Sequence, residues 1–136
     1  MYQIDLTRYL RIKYKFGGRD YPNLDCFGLV MCFYRDELGI TLPLDKSICD
    51  ATSENENLVK KKIKYRQVKE QELCDNKMYI ACFYGGGKFR HCGVVIDRKI
   101  LHTSQNGTAY KSISDCRLRF NAWEIKYYEV VSEGCS

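Results

Sequence analysis

The sequence has little of several features that would place it in a common class of protein. Its 136 residues include two prolines, one tryptophan and two histidines. No stretch approaches the roughly 20 apolar residues of a membrane-spanning helix. Charged residues interrupt the opening segment, MYQIDLTRYLRIKYK, where a signal peptide needs an apolar run. We therefore expect a protein made in the cytoplasm without a signal peptide and without membrane insertion.

Motifs for cofactors and nucleic acids are also lacking. There is no P-loop and no dinucleotide fingerprint, and two histidines 11 residues apart do not fit a H-E-x-x-H zinc motif. The eight cysteines contain no CxxC pair, since the closest two are six residues apart. We expect no cofactor, no metal and no nucleic-acid partner.

An even number of cysteines is compatible with disulfides, but the chain is large enough to fold without them. Cys82 in YIACFY and Cys92 in HCGVVI lie in apolar stretches typical of a core. We expect folding in a reducing compartment, and the sequence leaves open whether any cysteines pair.

The net charge is +5, and its densest block is KKKIK at 60–64. Two interpretations stay open for this block. It can be the solvated end of a helix, or it can contact an anionic polymer such as a cell wall.

The order of helical and extended patterns predicts an α+β class in one domain covering residues 1–136. Residues 5–12 form a short predicted helix, and residues 15–23 form a loop. A stronger helix follows Asp25 as its N-cap and ends at Gly39. A third helix is predicted near SENENLVKKKIK, where Ser53 and Glu56 have capping-box spacing.

Extended segments occupy the second half of the chain and predict a mostly antiparallel sheet. They are rich in β-branched and aromatic residues and are separated by GGGK, DRK and QNG turns. The predicted strands are 65–69, 78–84, 91–97, 99–104, 108–113 and 124–131.

Cys26 is the candidate nucleophile because it stands at the start of the second helix. A helix N-terminus favours the thiolate, and an adjacent imidazole can accept the proton. His91 is predicted to be this general base, and His102 to orient its ring. The turn between their strands makes residues whose numbers sum to about 196 face each other, so the two rings can meet if both lie on one face.

Each of these residues also has a structural interpretation. Cys26 can be a buried thiol at a helix start, since cysteine is among the most buried residue types. His91 can lie exposed at a strand edge, and His102 can be a half-buried strand residue bonded to a carbonyl.

The motif blocks together resemble the NlpC/P60 cysteine peptidases. YKFGGR, DCFGLV and YRDELGITLP precede RHCGVVID and ILHTS, in the order of the family's Gly-Gly, Asp-Cys, HVGI and IHA blocks. The resemblance implies a papain-like α+β fold with N-terminal helices packed on an antiparallel sheet. It also implies Cys26 as nucleophile, His91 as base and His102 as the third polar member.

Three further roles follow from the resemblance. Tyr14 matches a tyrosine that helps to hold the oxyanion, although it can also be a loop aromatic packed on the helix. Asp25 matches an aspartate that receives a substrate amino group, besides capping the helix. Phe27 replaces the family's usual serine, so a hydroxyl of the substrate-binding surface is missing.

The leading hypothesis is a hydrolase of amide bonds in peptidoglycan stem peptides. Phe27 and YRDELGITLP are similar to the phage tail-associated branch of the family, which implies tail proteins as partners and a place in the virion. Two alternatives stay open. One is an amidase, deamidase or acyltransferase acting on a protein or lipid, and the other is a non-catalytic tail-tip module.

Overall fold

The structure, a computed structural model, describes residues 4–42, 63–122 and 124–132. Its α-helices in these ranges are α1 (Leu6–Leu10), α2 (Cys26–Leu38) and α3 (Ile113–Arg119), and a 3-10 helix covers Glu70–Glu72. The strands are β1 (Lys13–Tyr14), β2 (Arg19–Asp20), β3 (Asn23–Leu24), β4 (Ile63–Val68), β5 (Met78–Gly85), β6 (Lys88–Ile96), β7 (Lys99–Ser104), β8 (Gly107–Ser112) and β9 (Glu124–Ser132). None of the described helices has the length and apolarity needed to cross a bilayer.

Strands β4 to β9 form one sheet in the order β4-β9-β5-β6-β7-β8, with every neighbouring pair antiparallel. The three two-residue strands form a separate small sheet in the order β1-β3-β2. The predicted α+β class with a mostly antiparallel sheet is confirmed.

The large sheet buries apolar side chains on both faces. Successive strand residues point to opposite sides, so Val94 and Val95 belong to different clusters. Leu29 and Phe33 of α2 lie in the cluster of Val94, whereas Cys116 of α3 lies in the cluster of Val95. Burying each larger apolar side chain contributes roughly 1.5–3 kcal/mol. The two clusters hold α2 and α3 on opposite faces of the sheet.

Helix α2 has the caps that the sequence predicts. Asp25 accepts a hydrogen bond from the backbone N–H of Gly28 at 2.7 Å. Gly39 ends the helix in the left-handed conformation with φ 67°, and the N–H of Ile40 donates to the carbonyl of Tyr34 at 3.0 Å. Both ends of the helix are therefore fixed, and Cys26 is its first residue.

The six predicted strands are present with small shifts at their ends. Asp97 and Arg98 form the tight turn between β6 and β7, with positive φ values of 50° and 67°. Such a two-residue turn suits the twist of a hairpin. The segment predicted as a loop at 15–23 contains β2 and the start of β3, because these residues pair within the small sheet.

The third predicted helix lies largely outside the described residues, and its capping pair Ser53 and Glu56 lies there too. The prediction is wrong for Ile63 and Lys64, the last two residues of the basic block. They begin β4 because their backbones pair with the end of β9. The helix α3 was missed altogether. It begins after Ser112, whose hydroxyl caps it by accepting from the N–H of Asp115 at 3.2 Å.

Candidate active site

The glycine loop before α2 packs directly against the start of the helix. A Cβ on Gly28 would lie 2.3 Å from the carbonyl oxygen of Gly18, and one on Gly18 would lie 2.3 Å from the carbonyl oxygen of Asn23. Both positions therefore require glycine. The N–H of Asp25 also donates to the carbonyl of Gly18 at 3.1 Å. These contacts fix the backbone that leads into Cys26.

Asp25 is confirmed as the N-cap of α2 and lies largely buried, with 8% of its surface exposed. The oxygen that accepts from Gly28 also lies 2.5 Å from Nη1 of Arg19. Its contact with a substrate amino group stays a prediction. This carboxylate already forms an ion pair with the guanidinium of Arg19, a residue that the sequence did not single out.

The register of β6 and β7 places both histidines on one face of the sheet. The paired residues have numbers that sum to 195, as in Val94 with Leu101. Continued by one step, this register puts His102 opposite Gly93, which shares a face with His91. A Cβ on Gly93 would lie 3.1 Å from the Cβ of His102. The sequence predicted that paired residues have numbers that sum to about 196, one more than observed. A register with that sum would have placed the two histidines on opposite faces of the sheet.

The two histidine rings form a buried hydrogen bond. His91 Nε2 lies 3.3 Å from His102 Nδ1, and 5% and 1% of the two residues are exposed. Burial, then the charges of His91 and Arg119, lowers the pKa of His102 to about 4. His102 is therefore neutral at physiological pH and can accept a proton donated by His91. Since Nε2 of His91 faces His102, its Nδ1 is the nitrogen left for the sulfur.

The thiol of Cys26 is strongly acidic. A hydrogen bond with Cys92 is the largest cause that lowers its pKa to about 5, and a hydrogen bond with His91 and the charge of that ring act in the same direction. Desolvation and the charge of Asp25 oppose them. A pKa near 5 leaves almost all of the sulfur as thiolate at neutral pH.

Cys92 was predicted only as a core residue. It is fully buried, as expected, but its hydrogen bond with Cys26 was missed. The sequence signal for this contact was the position of Cys92 directly after His91. A strand residue beside the base points to the opposite face, where α2 packs.

Aromatic rings enclose the histidine pair. Phe120 stacks on His91 with ring centroids 4.1 Å apart and meets His102 edge-on at 5.1 Å. Phe83 meets His91 edge-on at 5.5 Å. Because a hydrogen bond is stronger where water is excluded, this enclosure strengthens the link between the rings. Phe120, just after α3, was missed because that helix was not predicted.

Tyr14 and Phe27 lie beside Cys26. The charges of Cys26 and Asp25 add to burial in raising the pKa of Tyr14, so its hydroxyl stays protonated and available as a donor. Phe27 stacks on Phe89 at 5.3 Å between ring centroids. Phe89 also packs edge-on against Tyr84. An aromatic wall of Phe27, Phe89 and Tyr84 thus stands where the resemblance places a hydroxyl.

Comparison with known families agrees with this geometry. The NlpC/P60 family model matches residues 11–130, a range that holds the nucleophile candidate, both histidines and the whole sheet except the end of β9. No curated protein matches the chain. Membership suggests a cell-wall peptidase or amidase, since NlpC/P60 proteins are generally cysteine peptidases or amidases. The chain belongs to the NlpC/P60 family.

Proposed function

We propose that the protein is a thiol hydrolase that cleaves an amide bond in peptidoglycan stem peptides. The observation that carries the proposal is the acidic Cys26 thiol, hydrogen bonded to a histidine whose other nitrogen bonds a neutral second histidine. Nucleophile, base and orienting group are the parts that covalent amide hydrolysis requires.

The reaction begins with attack of the Cys26 thiolate on the carbonyl carbon of the amide. The carbonyl oxygen becomes an oxyanion, which the backbone N–H of Cys26 and the hydroxyl of Tyr14 stabilise. His91 then gives the proton on Nδ1 to the leaving amine, and a thioester forms. His102 accepts from Nε2 throughout and so keeps the ring of His91 oriented.

Deacylation uses the same base in the opposite direction. His91 takes a proton from water, and the resulting hydroxide attacks the thioester carbonyl. Collapse of the second tetrahedral intermediate releases the carboxylic acid and restores the Cys26 thiolate. His91 is again the imidazolium.

Cys26→Ala tests the proposal on purified muropeptides. We expect complete loss of cleavage with unchanged folding by circular dichroism, because Cys26 lies at the surface edge of the core. Cys74→Ala is the matched control, since Cys74 is an exposed cysteine between the 3-10 helix and β5. Full turnover in the Cys26→Ala enzyme would end the proposal.

A second candidate is an amidase, deamidase or acyltransferase acting on a protein or lipid. The aromatic wall of Phe27, Phe89 and Tyr84 favours it, because an apolar surface suits an acyl chain or an apolar side chain better than an amine. Mass spectrometry of products from muropeptides and from acylated or amidated protein substrates separates the two candidates. Phe27→Ser should increase muropeptide cleavage if the wall excludes the stem peptide.

We also propose that the enzyme acts as part of a phage tail, with tail proteins as partners. Phe27 after the nucleophile and the YRDELGITLP run support this assignment. Purified tails should contain the protein by mass spectrometry. A Cys26→Ala protein that still supports tail function in full would favour a structural module instead.

A further inference from the structure

A cleft behind the histidine pair is lined by a residue that has a buried ring nitrogen without a partner in the described part of the chain. His102 forms part of its wall, together with Lys111, Asp115, Cys116 and Arg119. Nδ1 of His102 bonds His91, whereas Nε2 is buried and has no hydrogen-bond partner among the residues that the structure describes. Such an atom costs about 1–3 kcal/mol when left unsatisfied. His102 lines the cleft, so a ligand seated there would lie next to the ring that carries this nitrogen.

The tautomer of His102 decides which ligand Nε2 can take. When Cys26 is a thiolate and His91 an imidazolium, both nitrogens of His91 carry protons. Nδ1 of His102 must then accept, so a neutral His102 carries its proton on Nε2. The unpartnered atom is a donor, and it needs an acceptor oxygen. This step rests on the Cys26–His91 pair of the proposed function.

The charges around the cleft favour an anion. Lys111 and Arg119 are exposed and form no ion pair with any carboxylate in the part of the chain that the structure describes. Asp115 is the one acidic residue that the lining has within the described ranges. The cleft has a volume of about 260 Å³, and a water molecule takes about 30 Å³ in the liquid. Room thus exists for a small anion with several waters.

We propose that this cleft binds a small oxyanion, a carboxylate or a phosphate, between Lys111, Arg119 and the Nε2–H of His102. The bound anion strengthens His102 as an acceptor of the hydrogen bond from His91. It stands behind His102 as the aspartate of a serine protease stands behind its catalytic histidine, one residue further from the nucleophile. The site lies on the α3 side of the sheet, away from the face on which α2 packs.

The test is a titration with sodium phosphate and sodium acetate at pH 7 and constant ionic strength. The readout is the ¹⁵N chemical shift of His102 Nε2, followed by long-range proton–nitrogen correlation. We expect a saturable shift for both anions. An N-acetylated dipeptide with a free carboxylate, compared with its C-terminal amide, shows whether a peptide carboxylate can occupy the cleft as well as a free anion.

Charge variants identify the site. The double variant K111Q/R119Q should weaken binding about ten-fold or more, because it removes both cations. D115N should tighten binding about three-fold, since it removes the repulsive charge of the Asp115 carboxylate. Lys88→Gln is the matched control, an exposed lysine of β6 outside the cleft, and should change nothing.

The inference is overturned if His102 shows no saturable shift, or if K111Q/R119Q binds as well as the unaltered protein. Loss of the shift in D115N would also overturn it, because Asp115 would then be the acceptor itself. Cys26 alkylation separates this failure from that of the proposed function. Anion binding with an unreactive Cys26 would support the anion site and contradict the proposed hydrolase. A reactive Cys26 without anion binding would support the hydrolase and contradict the anion site.

Discussion

Cys26 at the start of α2 and Cys116 in the middle of α3 are two cysteines with similar preceding residues and opposite protonation states. Cys26 and Cys116 each follow an aspartate, and each is largely enclosed by the fold. The pKa of Cys26 is lowered to about 5. Burial, then the charge of Asp115, raises the pKa of Cys116 to about 11. One sulfur is a thiolate at neutral pH, and the other is a thiol.

The difference comes from the sheet. Cys26 hydrogen bonds with Cys92 and His91 of β6, and these contacts outweigh its desolvation. The hydrogen-bond contact of Cys116 among the described residues is a long one, 4.0 Å to the carbonyl of Lys111, and an acceptor cannot stabilise a thiolate. The charges of Arg119 and Lys111 lower the pKa of Cys116 but do not outweigh its burial. A buried position within a helix is therefore not enough to activate a cysteine.

Removing His91, the base, should have the largest effect on the difference in reactivity between Cys26 and Cys116. His91→Ala eliminates the proton carrier and one of the hydrogen bonds to Cys26, so we expect kcat/KM for muropeptides to fall about 10³-fold. Alkylation of Cys26 by iodoacetamide at pH 6.5 should fall with it, while Cys116 stays as slow as before. Rapid Cys26 labelling in His91→Ala would show that the imidazole is not what activates the sulfur.

Removing the orienting histidine should have a smaller effect. His102→Ala leaves Nε2 of His91 without its acceptor, and we expect kcat to fall about 10- to 100-fold, less than a charged orienting group contributes. His102→Gln, whose amide oxygen can accept the same proton, should recover part of the loss. Equal activity in the Ala and Gln variants would indicate that His102 only fills space.

Opening the aromatic enclosure should have a modest effect. Phe120→Ala exposes the His91–His102 bond to water, so we expect a few-fold loss of kcat and a destabilisation of about 1–3 kcal/mol. Thermal unfolding and muropeptide assays measure the two effects. Phe16→Ala is the control, because Phe16 is 89% exposed and should be neutral in both.

Replacing the second sulfur should have the smallest effect on turnover at neutral pH, because Cys26 would still be mostly thiolate there. Cys92→Val keeps an apolar side chain of similar size in the core but removes the hydrogen bond to Cys26. Because this bond is the largest cause that lowers the pKa of Cys26, the pKa should rise by about one unit, and alkylation at pH 5 should slow about five-fold. A Cys26 alkylation profile identical to that of the unaltered protein would show that Cys92 does not lower the pKa of Cys26.

Much of this site could be predicted from local patterns. The caps at Asp25 and Gly39 are short-range signals, and the helix start that they define fixes Cys26. The strands of His91 and His102 were found because their apolar patterns and the DRK turn are also local. The histidine pairing was less certain, since one residue of register decides which face each ring takes.

The rest of the site depends on contacts between distant parts of the chain. Ile113, Cys116 and Phe120 have helical spacing, but seven residues give too little periodicity to identify α3, and with it the ring that covers His91. The ion pair of Arg19 with Asp25 depends on how the small sheet folds back. The position of β9 between β4 and β5 is likewise set by the whole sheet.

The pH dependence of alkylation at Cys26, mapped by mass spectrometry between pH 4 and 9, shows whether β6 keeps this sulfur as a thiolate. A thiolate stabilised by β6 predicts that labelling rises with a midpoint near pH 5 and is constant above about pH 6.5, with Cys116 unlabelled throughout. A Cys26 rate that instead climbs only toward pH 8.5, as for an ordinary thiol, would contradict it.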